Sequence, residues 1–331
     1  MRAAWSKNLA GLLASAIIGA AAIMIARWSR SSMVSPLVTA LLLGAIARTI
    51  FGIRPALMDG VKFSARHALR AGIVVLGLQL SVGQVLDIGA AAVFIVVVGL
   101  VTTFLSTLAL GALLGVDSRL AQLIAAGTSI CGASAVMATN TVVGAEEEDV
   151  SYALACVSLF GTVAVFLFPA MAHALRLDAQ CYGLWAGASI HEIGQVAAAA
   201  QAGTPAGDVA MVAKLSRVAL LAPTVLLLWA MKDRQAPARG GALMAVFPWF
   251  LLGFLVLMLV GSSGLVSEHL KDFGVQVAVV LLTVALAALG LDLDVRKLRS
   301  RGWRPLLLGA AASIFIAVVT LGCILAWKAG R

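Results

Sequence analysis

The sequence predicts an all-α polytopic membrane protein of about eleven transmembrane helices, and three observations carry that reading. The 331 residues are 62% hydrophobic and only 12% charged, with a mean hydropathy of +1.04. A soluble domain carries about 25% charged residues, so this chain cannot cover itself with polar surface. Its apolar runs are roughly twenty residues long and do not alternate in polarity, which fits spanning helices and excludes a β-barrel. Its basic residues also segregate between alternate loops, as described below. Ala, Leu, Val and Gly dominate these runs, and small residues let helices approach closely in lipid.

The runs lie near 9–26, 34–52, 64–80, 89–115, 119–143, 149–173, 179–202, 206–231, 246–264, 273–292 and 304–327. Arg2 and Lys7 ahead of the first run imitate a signal peptide, but the run is long and Arg27 follows it, so it reads as an uncleaved span. No connection is long enough for a soluble domain. The chain therefore reads as one transmembrane domain over 1–331, with 1–33 an extra N-terminal span. The most polar stretch, 232–240, reads as a link between halves.

Seventeen of the 24 lysines and arginines, from Arg2 and Lys7 through the run ending at Arg304, fall at the N-terminus or in loops after even-numbered spans. Five (Arg27, Arg30, Lys271, Lys328 and Arg331) fall on the other side. This positive-inside bias predicts a cytoplasmic N-terminus and an external C-terminus. It also sends the acidic cluster Glu146-Glu147-Glu148-Asp149 outward. The net charge of +9 is thus a matter of membrane orientation, with no groove or aromatic interleaving for nucleic acid. Cys131, Cys156, Cys181 and Cys323 are scattered without CxxC spacing, so neither a disulfide nor a metal or other cofactor is expected.

Span five contains Gly127-Thr-Ser-Ile-Cys-Gly-Ala-Ser134, whose glycines weaken a helix while Thr128, Ser129 and Ser134 satisfy freed backbone groups. A discontinuous helix is expected, its N–H groups aimed at a ligand. Span seven repeats part of it: Ala186-Gly-Ala-Ser-Ile190 echoes Ala126-Gly-Thr-Ser-Ile130 and runs into His191-Glu192-Ile193-Gly194-Gln195. A second echo links Arg70-Ala-Gly-Ile-Val-Val with Arg217-Val-Ala-Leu-Leu-Ala. It suits two inverted five-helix repeats, 34–175 and 176–331. The first echo does not fit that scheme, because spans five and seven then point the same way.

Four ionisable residues lie inside apolar runs, where a charge costs at least ~2.5 kcal/mol. His191 and Glu192 suit proton uptake and release. Lys214 and Arg217 are three apart, so they share a helix face and need a negative partner. Asn140 and Thr141 offer polar groups to a cavity. Asp292 and Asp294 read as interfacial charges paired with the basic run from Arg296, and His67, His173 and His269 as residues at span ends.

Gly127-Thr-Ser-Ile-Cys-Gly-Ala-Ser-Ala135, Leu159-Phe-Gly-Thr162, Pro169, Trp185-Ala-Gly-Ala-Ser-Ile-His-Glu192, Gln195-Val196, Lys214-Leu-Ser-Arg217 and Ala222-Pro223 together resemble the YeiH-like sulfate exporter family. Thr141 departs from the pattern, where that family places a proline. The resemblance implies a carrier of the bacterial inner membrane, similar in fold to sodium–proton antiporters and bile-acid symporters. In that fold two broken helices cross at the midplane, here spans five and ten. It also implies a substrate that is sulfate or a small sulfonate.

The expectation is a secondary transporter exporting a small oxyanion or organosulfonate, coupled to protons. Thr128, Ser129, Cys131, Gly132, Ser134, Lys214 and Arg217 are the candidate substrate-binding residues, and His191, Glu192, Gln195 and Asn140 the candidate coupling or gating residues. Its partners are the anion and the bilayer, and a homodimer is compatible with it. One alternative is a cation–proton antiporter working through Glu192, Asp292 or Asp294. Another is a non-transporting sensor or accessory subunit. An enzyme is not expected, since His191-Glu192 lacks the second histidine of HExxH and span five lacks GxSxG.

Overall fold

A computed structural model describes residues 2–29, 35–79, 82–231, 249–293 and 301–330, and every described element is helical. The elements are α1 (Arg2–Ser29), α2 (Pro36–Phe51), α3 (Pro55–Leu76), α4 (Val82–Leu113), α5 (Ser118–Ser129), α6 (Ala133–Val143) and α7 (Glu147–Ala174). They continue with α8 (Ala179–Ser189), α9 (Ile193–Ala199), α10 (Pro205–Ala219), α11 (Leu221–Met231), α12 (Trp249–Ser262), α13 (Glu268–Asp292) and α14 (Trp303–Ala329). Each of the eleven apolar runs thus holds helix among its described residues. Among the described residues six stretches are long and apolar enough to cross a membrane, and α2, α6 and α12 are shorter apolar helices. The protein is a polytopic membrane protein. The expected link at 232–240, and Asp294 with Arg296, Lys297 and Arg299 after it, lie outside the described residues.

Two compact units divide the chain. One comprises Met1–Asp87, Ala197–Asp208 and Trp249–Asp294. In it α13 packs along α2 and α3, and α1 along α3. The α2–α13 crossing is close because both partners offer glycine: a Cβ at Gly44 would strike the Ala287 carbonyl, and one at Gly290 the Leu41 carbonyl. Here α13 corrects an expectation. Span ten was to be the broken partner of span five, yet α13 runs uninterrupted from Glu268 to Asp292. Its glycines, Gly274 and Gly290, fall in its second and last turns, and nothing from Val275 to Leu289 breaks a helix.

The second unit comprises Ile88–Val196, Val209–Pro248 and Val295–Arg331. Span five does break, after Ser129, but its halves do not continue in line. Arg119 Nη1, at the start of α5, donates to the Gly144 carbonyl at the end of α6 at 3.2 Å. The two helices lie side by side as a hairpin. A Cβ on Gly127 would sit 2.8 Å from Val136 Cγ2, so the glycine lets the two limbs close. Gly132 makes the turn with φ +74°, a conformation that costs a side-chain-bearing residue dearly.

Ion pairs identify the ends of this unit. Arg301, just before α14, meets Glu146 at 2.7 Å and Asp149 at 2.8 Å at the start of α7. Lys328, at the end of α14, meets Asp178 at 2.6 Å beyond the end of α7. Thus α7 and α14 run parallel. The charge pattern had assigned Glu146–Asp149 and Arg301 to opposite faces, and Arg176 and Lys328 likewise. The ion pairs overturn both assignments. The cause is the hairpin: a segment counted as one crossing returns to the end it left.

Asp178 also caps α8, accepting from the Cys181 amide at 2.8 Å. That hydrogen bond and the Lys328 ammonium hold its carboxyl down to about 2. A depressed folded-state value makes the contribution present above the ordinary carboxylate range and lost as pH falls through about 2. Asp178→Ala is expected to cost about 1 kcal/mol, mostly as a lost N-cap, since the half-exposed ion pair adds little. A thermal melt in detergent at pH 7 measures it, and the difference from wild type should shrink toward pH 2.

Candidate functional site

The centre of the second unit is the meeting of two helix breaks. The α5 helix stops at Ile130 (φ −109°, ψ −91°), and α8 stops at Ile190 (φ −64°, ψ 143°). Each stop leaves last-turn carbonyls without intrahelical donors. The two helices enter from opposite ends of the unit: α5 begins beside Gly144 and the Arg301 cluster, α8 beside Lys328. Their C-terminal ends therefore point at each other.

Lys214 and Arg217, both fully buried on α10, fill the gap. Lys214 Nζ donates to Ile130 O at 3.2 Å, to Ile190 O at 2.8 Å and to His191 O. Arg217 donates through Nε to Ser129 O (3.2 Å), through Nη2 to Thr128 O (2.7 Å), and through Nη1 to Ile190 O (3.1 Å) and Gly187 O (3.4 Å). The ammonium thus spends all three of its hydrogens on carbonyls. A Cβ on Gly187 would lie 2.8 Å from Ala213 Cβ, so this glycine is what brings α8 against α10. The α10 helix itself ends at Ala219, four residues before Pro223, whose ring excludes the i−4 hydrogen bond.

Each helix C-terminus carries roughly −0.5 of an elementary charge, so the two termini offset part of the charge that Lys214 and Arg217 bring. This supplies the negative partner that the Lys214–Arg217 spacing demanded. That partner is main-chain carbonyl.

Glu192 lies against Gly132, whose added Cβ would meet Glu192 Cγ at 2.5 Å. Its Oε1 accepts from Ser158 Oγ at 3.3 Å. Gln195 Oε1 accepts from the Glu192 amide at 3.1 Å, and its Nε2 donates to Ser158 O at 3.1 Å and Thr162 Oγ1 at 3.4 Å. His191 Nε2 lies 2.8 Å from Ser313 Oγ, which donates its own hydrogen to Gly309 O. Which ring nitrogen carries the proton depends on the tautomer, and the ring also meets the Ser189 backbone. Ser189 and Thr320 are joined at 2.7 Å, and Trp185 Nε1 donates to Ala317 O at 2.8 Å.

The expected site residues thus divide. Thr128, Ser129, Cys131, Gly132, His191, Glu192, Gln195, Lys214 and Arg217 come together at the breaks, all buried. Ser134 is on the first turn of α6 and exposed. Asn140 stands apart: its Oδ1 accepts from the Ala145 amide at 2.8 Å and so caps the far end of α6. Asp292 belongs to the other unit. Sequence reading missed Ser158, Thr162, Ser313 and Thr320. Their signal was present as hydroxyls four and seven residues apart on one face of otherwise apolar helices.

Fold and site together define a polytopic membrane protein with a buried polar centre. The chain belongs to the family described as Conserved hypothetical protein 698, whose model matches residues 10–309. It is 39% identical over 291 residues to the UPF0324 inner membrane protein YeiH of Salmonella typhimurium, covering 86% of this chain and 83% of that protein. The UPF0324 membrane protein PA5383 of Pseudomonas aeruginosa is 36% identical over 337 residues, covering 96% and 92%. The UPF0324 membrane protein Atu0671 of Agrobacterium fabrum is 32% identical over 329 residues, covering 98% and 94%. These names carry a membrane location and no substrate.

Proposed function

We propose that this protein is a secondary transporter of a small anion, sulfate or a small organosulfonate, in the bacterial inner membrane. The observation that carries the reading is the pair of opposed helix breaks bridged by Lys214 and Arg217. Irregular backbone at membrane depth is tolerated where it is buried or lines a polar route, and discontinuous helices are how many carriers build a substrate site. The anion would sit at the first turn of α6, from Gly132 to the exposed Ser134, whose leading amides precede the helix ladder. Lys214 and Arg217 would act from behind it, cancelling the carbonyl ends that would otherwise repel an anion. Export is the direction the family resemblance supports.

The echo between residues 126–130 and 186–190 supports an inverted repeat in this unit. Both copies end at an isoleucine whose carbonyl binds Lys214. The other echo does not share an environment, for Arg70 is exposed with its guanidinium 5.7 Å over the Phe250 ring.

Radiolabelled sulfate flux in proteoliposomes tests the reading, with taurine and sulfoacetate as competitors. Saturable flux that a sulfonate or sulfate inhibits is expected. Sodium-dependent proton movement without anion flux would instead support a cation–proton antiporter, a reading favoured by the buried Glu192 carboxylate at the breaks. Glu192→Gln is expected to keep downhill anion exchange and abolish acceleration by a pH gradient. Unchanged pH-gradient dependence in that variant would remove Glu192 from coupling.

A further inference from the structure

We infer that α5–α6 and α8–α9 are two half-membrane gates inserted from opposite faces, and that neither crosses the bilayer. Three observations converge on this. The α5 helix has 12 residues and α6 has 11, which at 1.5 Å per residue reach roughly 18 Å, about half the hydrocarbon thickness plus a headgroup layer. Arg119 binding Gly144 brings entry and exit of that segment to one place. The same end carries the Glu146–Arg301 pair, so the hairpin opens on the face where α7 and α14 begin.

The second segment enters from the other end. Asp178 at the start of α8 pairs with Lys328, and α8 spans 11 residues before its break. Glu192 then meets α7 at Ser158, while Gln195 reaches Thr162, four residues nearer the end from which α8 came. The chain thus turns back after the break. Parallel α7 and α14 require this independently. Between them lie four apolar runs, yet the chain must cross an odd number of times to restart where α7 starts, so one run returns without crossing.

The sidedness that follows also accounts for the charges. Of the basic residues only Arg176 changes face, and the strong bias remains. The acidic cluster Glu146–Asp149 moves to the basic, cytoplasmic face, where Arg301 meets it. The N-terminus stays cytoplasmic and the C-terminus external. Whatever occupies the paired tips is then reached from the cytoplasm beside α5–α6 and from outside beside α8–α9, and the residue 126–130 and 186–190 echo becomes a pair of oppositely directed gates.

The test labels single cysteines with a membrane-impermeant maleimide in right-side-out spheroplasts and in inverted vesicles, using the unsubstituted chain as the blank. Ser118→Cys and Glu147→Cys, at two exposed positions, are expected to label only in inverted vesicles. Ala179→Cys and Gln201→Cys, also exposed, are expected to label only in spheroplasts. Either pair splitting between the two faces overturns the inference. If a cysteine variant does not accumulate, an epitope inserted after Gly115, Gly144, Asp178 or Ala202 gives the same readout. The inference rests on the membrane reading and not on the identity of the anion. Labelling needs no flux, so its failure leaves the transport proposal standing, and absent sulfate flux leaves the gates standing.

Discussion

Arg217→Met is expected to destabilise the folded protein by about 3–5 kcal/mol, the range for removing one member of a buried, paired charge set. The substitution roughly preserves bulk while stranding the carbonyls of Thr128, Ser129, Gly187 and Ile190. An unpaired buried acceptor costs about 1–3 kcal/mol; relaxation and rescue of Ile190 by Lys214 keep the total below the sum of four. Arg217→Lys keeps the charge but not the planar fork, so it should fall between. Thermal unfolding in detergent gives the stability, and proteoliposome flux gives the function. Flux should vanish in Arg217→Met even at temperatures where the protein remains folded, because the two breaks are no longer held in register. Wild-type melting and flux would remove Arg217 from the centre altogether.

Gly132→Val should be the second most damaging change. Its φ of +74° and ψ of −132° lie in territory that only glycine occupies freely, and forcing a branched residue there costs roughly 1–3 kcal/mol. The new Cβ would also lie 2.5 Å from Glu192 Cγ, adding an overpacking cost of about 1–3 kcal/mol. Strain and displacement act on the same residue, so flux should be lost and Glu192-dependent coupling with it. Gly144→Ala is the control. It too has positive φ, +66°, yet a Cβ there meets nothing within 4 Å. About 1 kcal/mol of stability should go, with flux intact. Equal loss of function in both variants would show that backbone strain alone matters, and that the Gly132–Glu192 contact does not.

Much of this arrangement was legible in the residues. Charges placed in apolar runs identified His191, Glu192, Lys214 and Arg217, and all four converge. Glycines and hydroxyls around Ile130 announced a break. What the residues did not disclose was its direction, because a Gly-Ala-Ser run of 25 residues has the length of one crossing whether it kinks or reverses. The Arg119–Gly144 contact and the close approach of Gly127 to Val136 separate the two. The partners of Lys214 and Arg217 were hidden for a related reason. Their acceptors are main-chain carbonyls, which every residue carries and no sequence marks. The inverted pairing was sought at Arg70 and Arg217 because charged matches catch the eye, whereas the echo that shares an environment is made of Gly, Ser and Ile.

The bridging of both breaks by one later helix has a consequence for biosynthesis. Arg217 lies 89 residues after Thr128, and Lys214 lies 84 after Ile130. At ~5–20 residues per second a ribosome needs several seconds to cover that distance. Throughout that interval the carbonyls at the end of α5 lack the Lys214 and Arg217 donors that close on them in the folded protein. The first break therefore closes only once α10 has been made, and a truncation before Lys214 is expected to leave its carbonyls without those partners.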